Sequence, residues 1–336
     1  MPVEKIPQMS VEKISTPAPG IENGNVCRPM TGFPIPPYRH NLLFTAFVIA
    51  AVAIQLFVVP LVFLPHAPVV AIAVSLVLSF GTPLCRALLH EAIHGRLASN
   101  KNWNVGLGRI LGWCSGAAFD GIRLGHLTHH RFPRHHLDQA DIIQPGKSRT
   151  QINVIFYFDL LGGIYLREIL YSLVMLFPRR TINRVAEYLM ANDGSESDAL
   201  YSALQRGLDR RLGRIRIDMV CIVLIYAAAF YLYGEWWPTL LMGIALRGLI
   251  LSLQDNVAHY GTPAFVGAAA HNTQASRLIR LFMLNQNFHG LHHDRPELPW
   301  NVLPEAFERA GGKYAGGYFK LLAKQFYGPR HESSVN

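Results

Sequence analysis

The sequence predicts an all-α integral membrane protein: four transmembrane helices in two hairpins, interfacial helices beside them, and a cytoplasmic helical cap. Three observations predict it. Half of the 336 residues are hydrophobic, too many for an ordinary soluble domain of this length. Lys and Arg vanish from two long stretches. Nine histidines gather in short clusters just beyond the apolar runs.

The first charge-free gap lies between Arg39 and Arg86 and holds the runs Leu42–Leu64 and Val69–Leu84, with Pro65, His66, Ala67 and Pro68 at the turn. The second lies between Arg216 and Arg247 and introduces the runs Ile217–Tyr233 and Pro238–Leu253, with Gly234 and Glu235 at the turn. A crossing needs about 20 apolar residues, or fewer when the flanks snorkel or bend. Each gap therefore reads as a hairpin. The positive-inside rule then puts the N-terminus, the middle segment and the C-terminus in the cytoplasm, with every histidine cluster on that side. The net charge of +9 follows this topology, which argues against a nucleic-acid partner.

Val105–Phe119 and Ile152–Phe177 are apolar as well. A crossing by the second alone would send Arg179–Arg216 outward and divide the clusters across the bilayer, so both read as interfacial or re-entrant. Arg167 and Glu168 inside the second agree. Gly81, Gly106, Gly108 and Gly112 would permit close helix approach. Residues 179–215 read as amphipathic helices broken at Asn192–Ser195. Residues 1–38 are Pro-rich and read as a flexible cytoplasmic leader, 39–310 as the membrane domain, and 311–336 as a C-terminal cytoplasmic tail. Cys27, Cys85, Cys114 and Cys221 show no paired spacing and read as reduced packing residues, with no disulfide framework and no iron–sulfur site.

The clusters carry the chemistry. The chain reads HEAIH at 90–94, HLTHH at 126–130, DNVAHYG at 255–261 and HGLHH at 289–293. Residues i, i+3 and i+4 share a helix face, so each tight cluster can aim two or three imidazoles at one point. A zinc ion takes three or four protein ligands, so nine imidazoles are too many for one ion and about right for two. His40, His66, His271 and His331 read as interfacial or solvated. His135 and His136 follow Pro133, which ends the preceding helix and takes them out of register. HEAIH also matches HExxH, where two histidines bind zinc and Glu91 would be the general base of an intramembrane protease. That reading leaves both HxxHH clusters unexplained.

HxxxH, HxxHH and HxxHH in this order, on two hairpins, resemble the membrane fatty acid desaturase superfamily over about residues 40–305. That superfamily includes acyl desaturases and hydroxylases, carotenoid ketolases and hydroxylases, and alkane hydroxylases. Residues 287–300 resemble the desaturase third box and its downstream Pro-Trp. Asp255–His259 resembles the extra ligand position before that box, with Asp255 where an Asn is common. His259-Tyr260-Gly261 also resembles the alkane hydroxylase branch.

The resemblance implies two irons held by His90, His94, His126, His129, His130, His259, His289, His292 and His293. Dioxygen is the implied co-substrate, with neither haem nor an iron–sulfur cluster in this chain. Imidazole suits iron, and the ring nitrogen not bound to metal needs an acceptor. Glu91, Asp138, Asp141, Asp255 and Asp294 are the nearby candidates. The implied reaction is desaturation of a fatty acyl chain, with a ferredoxin, rubredoxin or cytochrome as separate electron donor. A carotenoid ketolase or hydroxylase, or an alkane or acyl hydroxylase, is the alternative within the superfamily. A non-catalytic metal-binding membrane protein and the zinc protease are the alternatives outside it.

Overall fold

A computed structural model of the chain describes residues 36–134, 138–143, 146, 148–190, 194–262 and 270–331. Nearly all of the expected leader, as well as His135 and His136, lie outside the described residues. The described residues are mostly helical, and the extended chain among them forms two-residue pairings.

Among the described residues, three helical stretches are long and apolar enough to cross a membrane: Tyr38–Phe63, Pro68–Ile93 and Leu212–Val257, of 26, 26 and 46 residues. Each is interrupted where the sequence demands it. Helix α1 (Tyr38–Ala53) widens into a π-helical stretch (Ile54–Phe63) around Pro60, which cannot donate to the helical ladder. The second stretch breaks into α2 (Pro68–Ser79) and α3 (Thr82–Ile93). Pro83 has no N–H for the carbonyl of Ser79, which accepts from the Thr82 hydroxyl at 2.6 Å instead.

The third stretch, 46 residues long, would extend roughly 70 Å as one straight helix, far more than a bilayer core of about 30 Å. It folds back. Helix α10 (Leu212–Tyr233) ends at Gly234, whose φ of 52° suits a residue without a Cβ, and α11 (Trp237–Val257) returns. The Arg247 guanidinium of α11 meets the Tyr226 hydroxyl of α10 at 3.3 Å.

A buried polar knot joins these helices. The Gln55 side-chain amide donates to Ser75 O at 2.8 Å and to Ser79 Oγ at 3.0 Å. Tyr233 donates to Gln55 O at 2.7 Å, Arg247 donates to Gln55 Oε1, and Ser79 donates to Gly243 O at 3.1 Å. Buried polar groups need such partners, and here they fix the π-helical stretch, α2, α10 and α11 in one register.

The two further apolar stretches form α4 (Lys101–Ser115) and the pair α6 (Arg149–Phe158) and α7 (Ile164–Val174), kinked at Gly162 with φ 122°. Helix α4 is capped by Asn100, ends on left-handed Gly116, and is followed by α5 (Phe119–Arg131). Its last turn reaches the middle of α10 and α11, where Cys114 O accepts from Tyr226 at 2.9 Å and from Arg247 at 3.1 Å. Above Arg179 the chain forms α8 (Arg179–Met190) and α9 (Gly194–Asp209). Beyond α11 come α12 (Arg277–Phe282), α13 (His289–Asp294), α14 (Leu303–Arg309) and α15 (Tyr318–Lys324). Residues 318–331 pack back on the body: Tyr318 and Leu321 join Val257 and Met283, and Ile142–Ile143 pairs with Arg330–His331.

The largest apolar core joins α1, α3, α4 and α5, including Leu88, Leu89, Leu111 and Phe119, and ends at the first histidine cluster. Glycine makes it possible. A Cβ at Gly108 would sit 2.7 Å from the Phe119 ring, and one at Gly112 would sit 2.8 Å from Ala117 O, whereas Gly106 faces open space. Gly108→Val and Gly112→Val are therefore expected to destabilise the purified protein by about 1–3 kcal/mol through overpacking. Gly106→Ala should leave thermal unfolding in detergent unchanged. Equal tolerance at all three positions would contradict this packing.

Candidate metal centre

The nine clustered histidines converge in two groups. His90, His94, His126, His130 and His292 form the first, and His129, His259, His289 and His293 the second. Within each group, one nitrogen of every ring lies within 4.8 Å of the others.

The division cuts across the sequence clusters. His126 and His130, spaced i and i+4, enter the first group while His129 turns to the second. His289 and His293, again i and i+4, enter the second group while His292 turns to the first. At about 3.6 residues per turn, neighbouring positions point roughly 100° apart, so consecutive histidines cannot aim at one point. An HxxHH helix thus serves two sites. The groups share a wall: the rings of His130 and His293 stack at 4.3 Å.

Each element delivers its histidines for a local reason. Helix α3 stops at His94 because Gly95 takes φ 77°, and the Arg96 N–H closes on Glu91 O at 2.8 Å. The Arg96 guanidinium then donates to the carbonyls of Pro296 and Leu298, fixing this end to the segment after α13. Helix α13 is entered through Leu284 and Asn285, both left-handed. The Asn285 amide donates to Trp300 O at 2.9 Å, and Asn287 is tied to Thr273 at 2.7 Å. A Cβ at Gly290 would lie 2.6 Å from Ala270 O, so only glycine lets α13 seat this deeply. His259 follows the end of α11 directly.

The Nε2 atoms face one another rather than separate acceptors. His94 and His126, and His126 and His130, meet at 3.0 Å, His130 and His292 at 3.1 Å, and His129 and His293 at 3.2 Å. Both ring nitrogens of His90 are buried with no hydrogen-bond partner among the described residues. Convergent lone pairs without an acceptor network suit a bound cation, so the residues fit a metal. Burial, reinforced by neighbouring imidazoles, pushes His126, His289, His292 and His293 well below the ordinary histidine range and His130 to about 3. These rings are neutral, as ligation requires.

His129 differs. Burial alone would depress it, but the Asp138 carboxylate outweighs burial and the net direction is upward. Asp138 accepts from His129 Nδ1 at 2.8 Å and is itself held well below the usual carboxylate range, His129 and nearby positive charge outweighing burial. That contact leaves Nε2 of His129 aimed at His293.

The other acidic candidates do different things. Asp141 binds Arg134 at 2.8 Å and accepts from the Gly261 N–H at 2.7 Å, joining the loop after α5 to the turn after His259. Asp255 pairs through both oxygens with Arg86, at 2.5 and 3.4 Å, and Arg86 also pairs with Glu168 at 2.9 Å. Glu91 is buried, 4.0 Å from His90 Nδ1, with Oε2 unpartnered. Asp294 is exposed. His271 binds Tyr260 O at 3.0 Å, and His40, His66 and His331 are exposed.

Sequence reasoning did not find the Arg86–Asp255–Glu168 triad or the tie made by Arg96. The only signal for the first was a charge beside an apolar run, and partners 82 and 169 positions away carry no local pattern.

The family model for fatty acid desaturases matches residues 65–322, a span that contains all nine histidines. No curated protein matches the sequence.

Replacing Asp138 by Asn removes the carboxylate that orients His129. It should weaken metal binding by the second group about 10–100-fold, read by chelator competition. Asp294→Asn should change nothing. Undiminished affinity in Asp138→Asn would show that the contact is incidental.

Proposed function

The chain belongs to the fatty acid desaturase family of membrane di-iron oxidoreductases, and from this premise we propose that it oxidises a lipid-like substrate with dioxygen, by desaturation of a fatty acyl chain. One observation carries the reading: the nine histidines fall into two adjacent groups, each with enough nitrogens for one ion. In this reading His90, His94, His126, His130 and His292 hold one iron, and His129, His259, His289 and His293 hold the other. Two irons held there would supply dioxygen activation and hydrogen abstraction from an unactivated C–H bond.

The chain's own groups position the site. Asp138 fixes the His129 tautomer. An apolar cavity is lined from α1, α2, α3, α4, α7 and α11, among them Phe47, Leu78, Leu251 and Leu89, the residue before His90. Its apolar lining suits contact with a hydrocarbon chain. The Arg86 triad spans α3, α7 and α11 along this cavity and keeps their spacing.

The topology that supports the reading has four crossings in two hairpins, with both termini and the metal centre cytoplasmic. Residues 39–310 are the catalytic body. The two electrons come from a separate ferredoxin, rubredoxin or cytochrome, steered by the basic cytoplasmic face. The HExxH protease reading is weaker, because a catalytic zinc takes three protein ligands and five histidines meet at His90 and His94.

Expression in a host with a donor system should introduce a double bond into host acyl chains, seen by mass spectrometry. His293→Ala should abolish it. Unchanged acyl chains with altered pigments or terminal alcohols would move the protein to the carotenoid or alkane branch. Activity that survives His293→Ala but not Glu91→Gln would revive the protease.

A further inference from the structure

One histidine of the two groups is carried differently from the rest. Seven sit within α3, α5 or α13, and His94 caps α3. His259 lies in a turn, because α11 ends at Val257. A helix aims its own side chains. A ring on a turn is aimed by whatever holds the turn.

The turn is built on Asn256, whose carbonyl accepts from the His259 N–H at 3.1 Å and the Tyr260 N–H at 2.9 Å. The Asn256 side chain is held in its turn by Gln325. Its Nδ2 donates to Gln325 Oε1 at 2.6 Å, and Gln325 Nε2 donates to Leu253 O at 3.3 Å. One fully buried amide thus joins two points on the last turn of α11. Tyr260, beside His259, donates from its hydroxyl to Gly328 O at 2.8 Å. Losing one end of such a buried pair leaves the other unpaired, which is costly.

The same segment closes on the loop that follows α5. The Arg330 N–H donates to Asp141 O at 2.8 Å, and the Asp141 carboxylate accepts from the Gly261 N–H at 2.7 Å. The Tyr157 hydroxyl donates to Phe326 O at 3.1 Å. Upstream, Tyr318 and Leu321 of α15 pack on Val257 and Met283. Residues 325–331 therefore bracket the turn that carries His259. The first group has a different tie, the Arg96 guanidinium on the carbonyls of Pro296 and Leu298.

We propose that Gln325 is a positioning residue for His259, and that residues 325–331 clasp the second histidine group. Metal binding by the second group then depends on this segment, and metal binding by the first does not. The proposal rests on the reading that each group holds one ion.

Cobalt(II) titration of the whole metal-free chain in detergent tests it, read by visible absorption and by chelator competition. The unsubstituted protein should bind about two ions in two affinity classes. His259→Ala marks the class that belongs to the second group. Gln325→Leu should weaken that class about tenfold or more and leave the other unchanged. Tyr260→Phe, which removes only the bond to Gly328, should weaken the same class by less. General loosening of the fold would lower both classes together, so equal loss in both overturns the proposal, as does no loss in either. If Gln325→Leu does not fold, Tyr260→Phe decides alone, and an unchanged second class there overturns the proposal. A single ion in the unsubstituted chain contradicts the two-ion reading, and the proposal falls with it. Two ions insensitive to Gln325 contradict the proposal alone.

Discussion

Everything in this structure answers to one constraint: nine imidazoles must be held close together, out of water, with their lone pairs converging. Nitrogens meet at 3.0–3.2 Å across three clusters, and among the described residues neither ring nitrogen of His90 has a hydrogen-bond partner. Such an arrangement is unfavourable without a cation and highly favourable with one. The scaffold must therefore fix the helix ends so firmly that the rings cannot relax apart. Gly95, Arg96, Gly290 and Asn285 do so at the centre, and the glycine-packed α4 with the Gln55 knot does so below it.

Burial and charge divide the work. The rings of five histidines are kept neutral by burial and by their neighbours, which suits ligation. One ring, His129, is instead oriented by a carboxylate. Acidic residues elsewhere near the centre are used as struts: Asp141 for the loop after α5, Asp255 and Glu168 for Arg86. The negative charge nearby thus serves position more than coordination, and the imidazoles supply the donor set.

Much of this was legible in the sequence. Charge-free gaps located the apolar helices, and their turns fall at Pro65–Pro68 and Gly234 as expected. The histidine spacing pointed to eight residues of the two groups, and the resemblance pointed to His259. Helical spacing alone requires each HxxHH to split, but which partners His126 and His130 meet, and which His129 meets, depends on where the facing helices stand. Asp255 was a possible ligand by its position; only the fold reveals Arg86 beside it, 169 residues earlier in the chain. Arg247, inside an expected crossing, was visible as a letter but not as a group lining a cavity. Pro60 and Pro83 carried the two helix breaks, whose effect depends on what else satisfies the freed carbonyls.

The central claim is that the two histidine groups hold two irons. Metal analysis of the purified protein, with Mössbauer spectra of iron-57-enriched samples, tests it most directly. About two irons per chain are expected, falling in His293→Ala, with spectra of nitrogen-rich, histidine-ligated sites. One zinc per chain, bound at His90 and His94 and unaffected by His293→Ala, would contradict it.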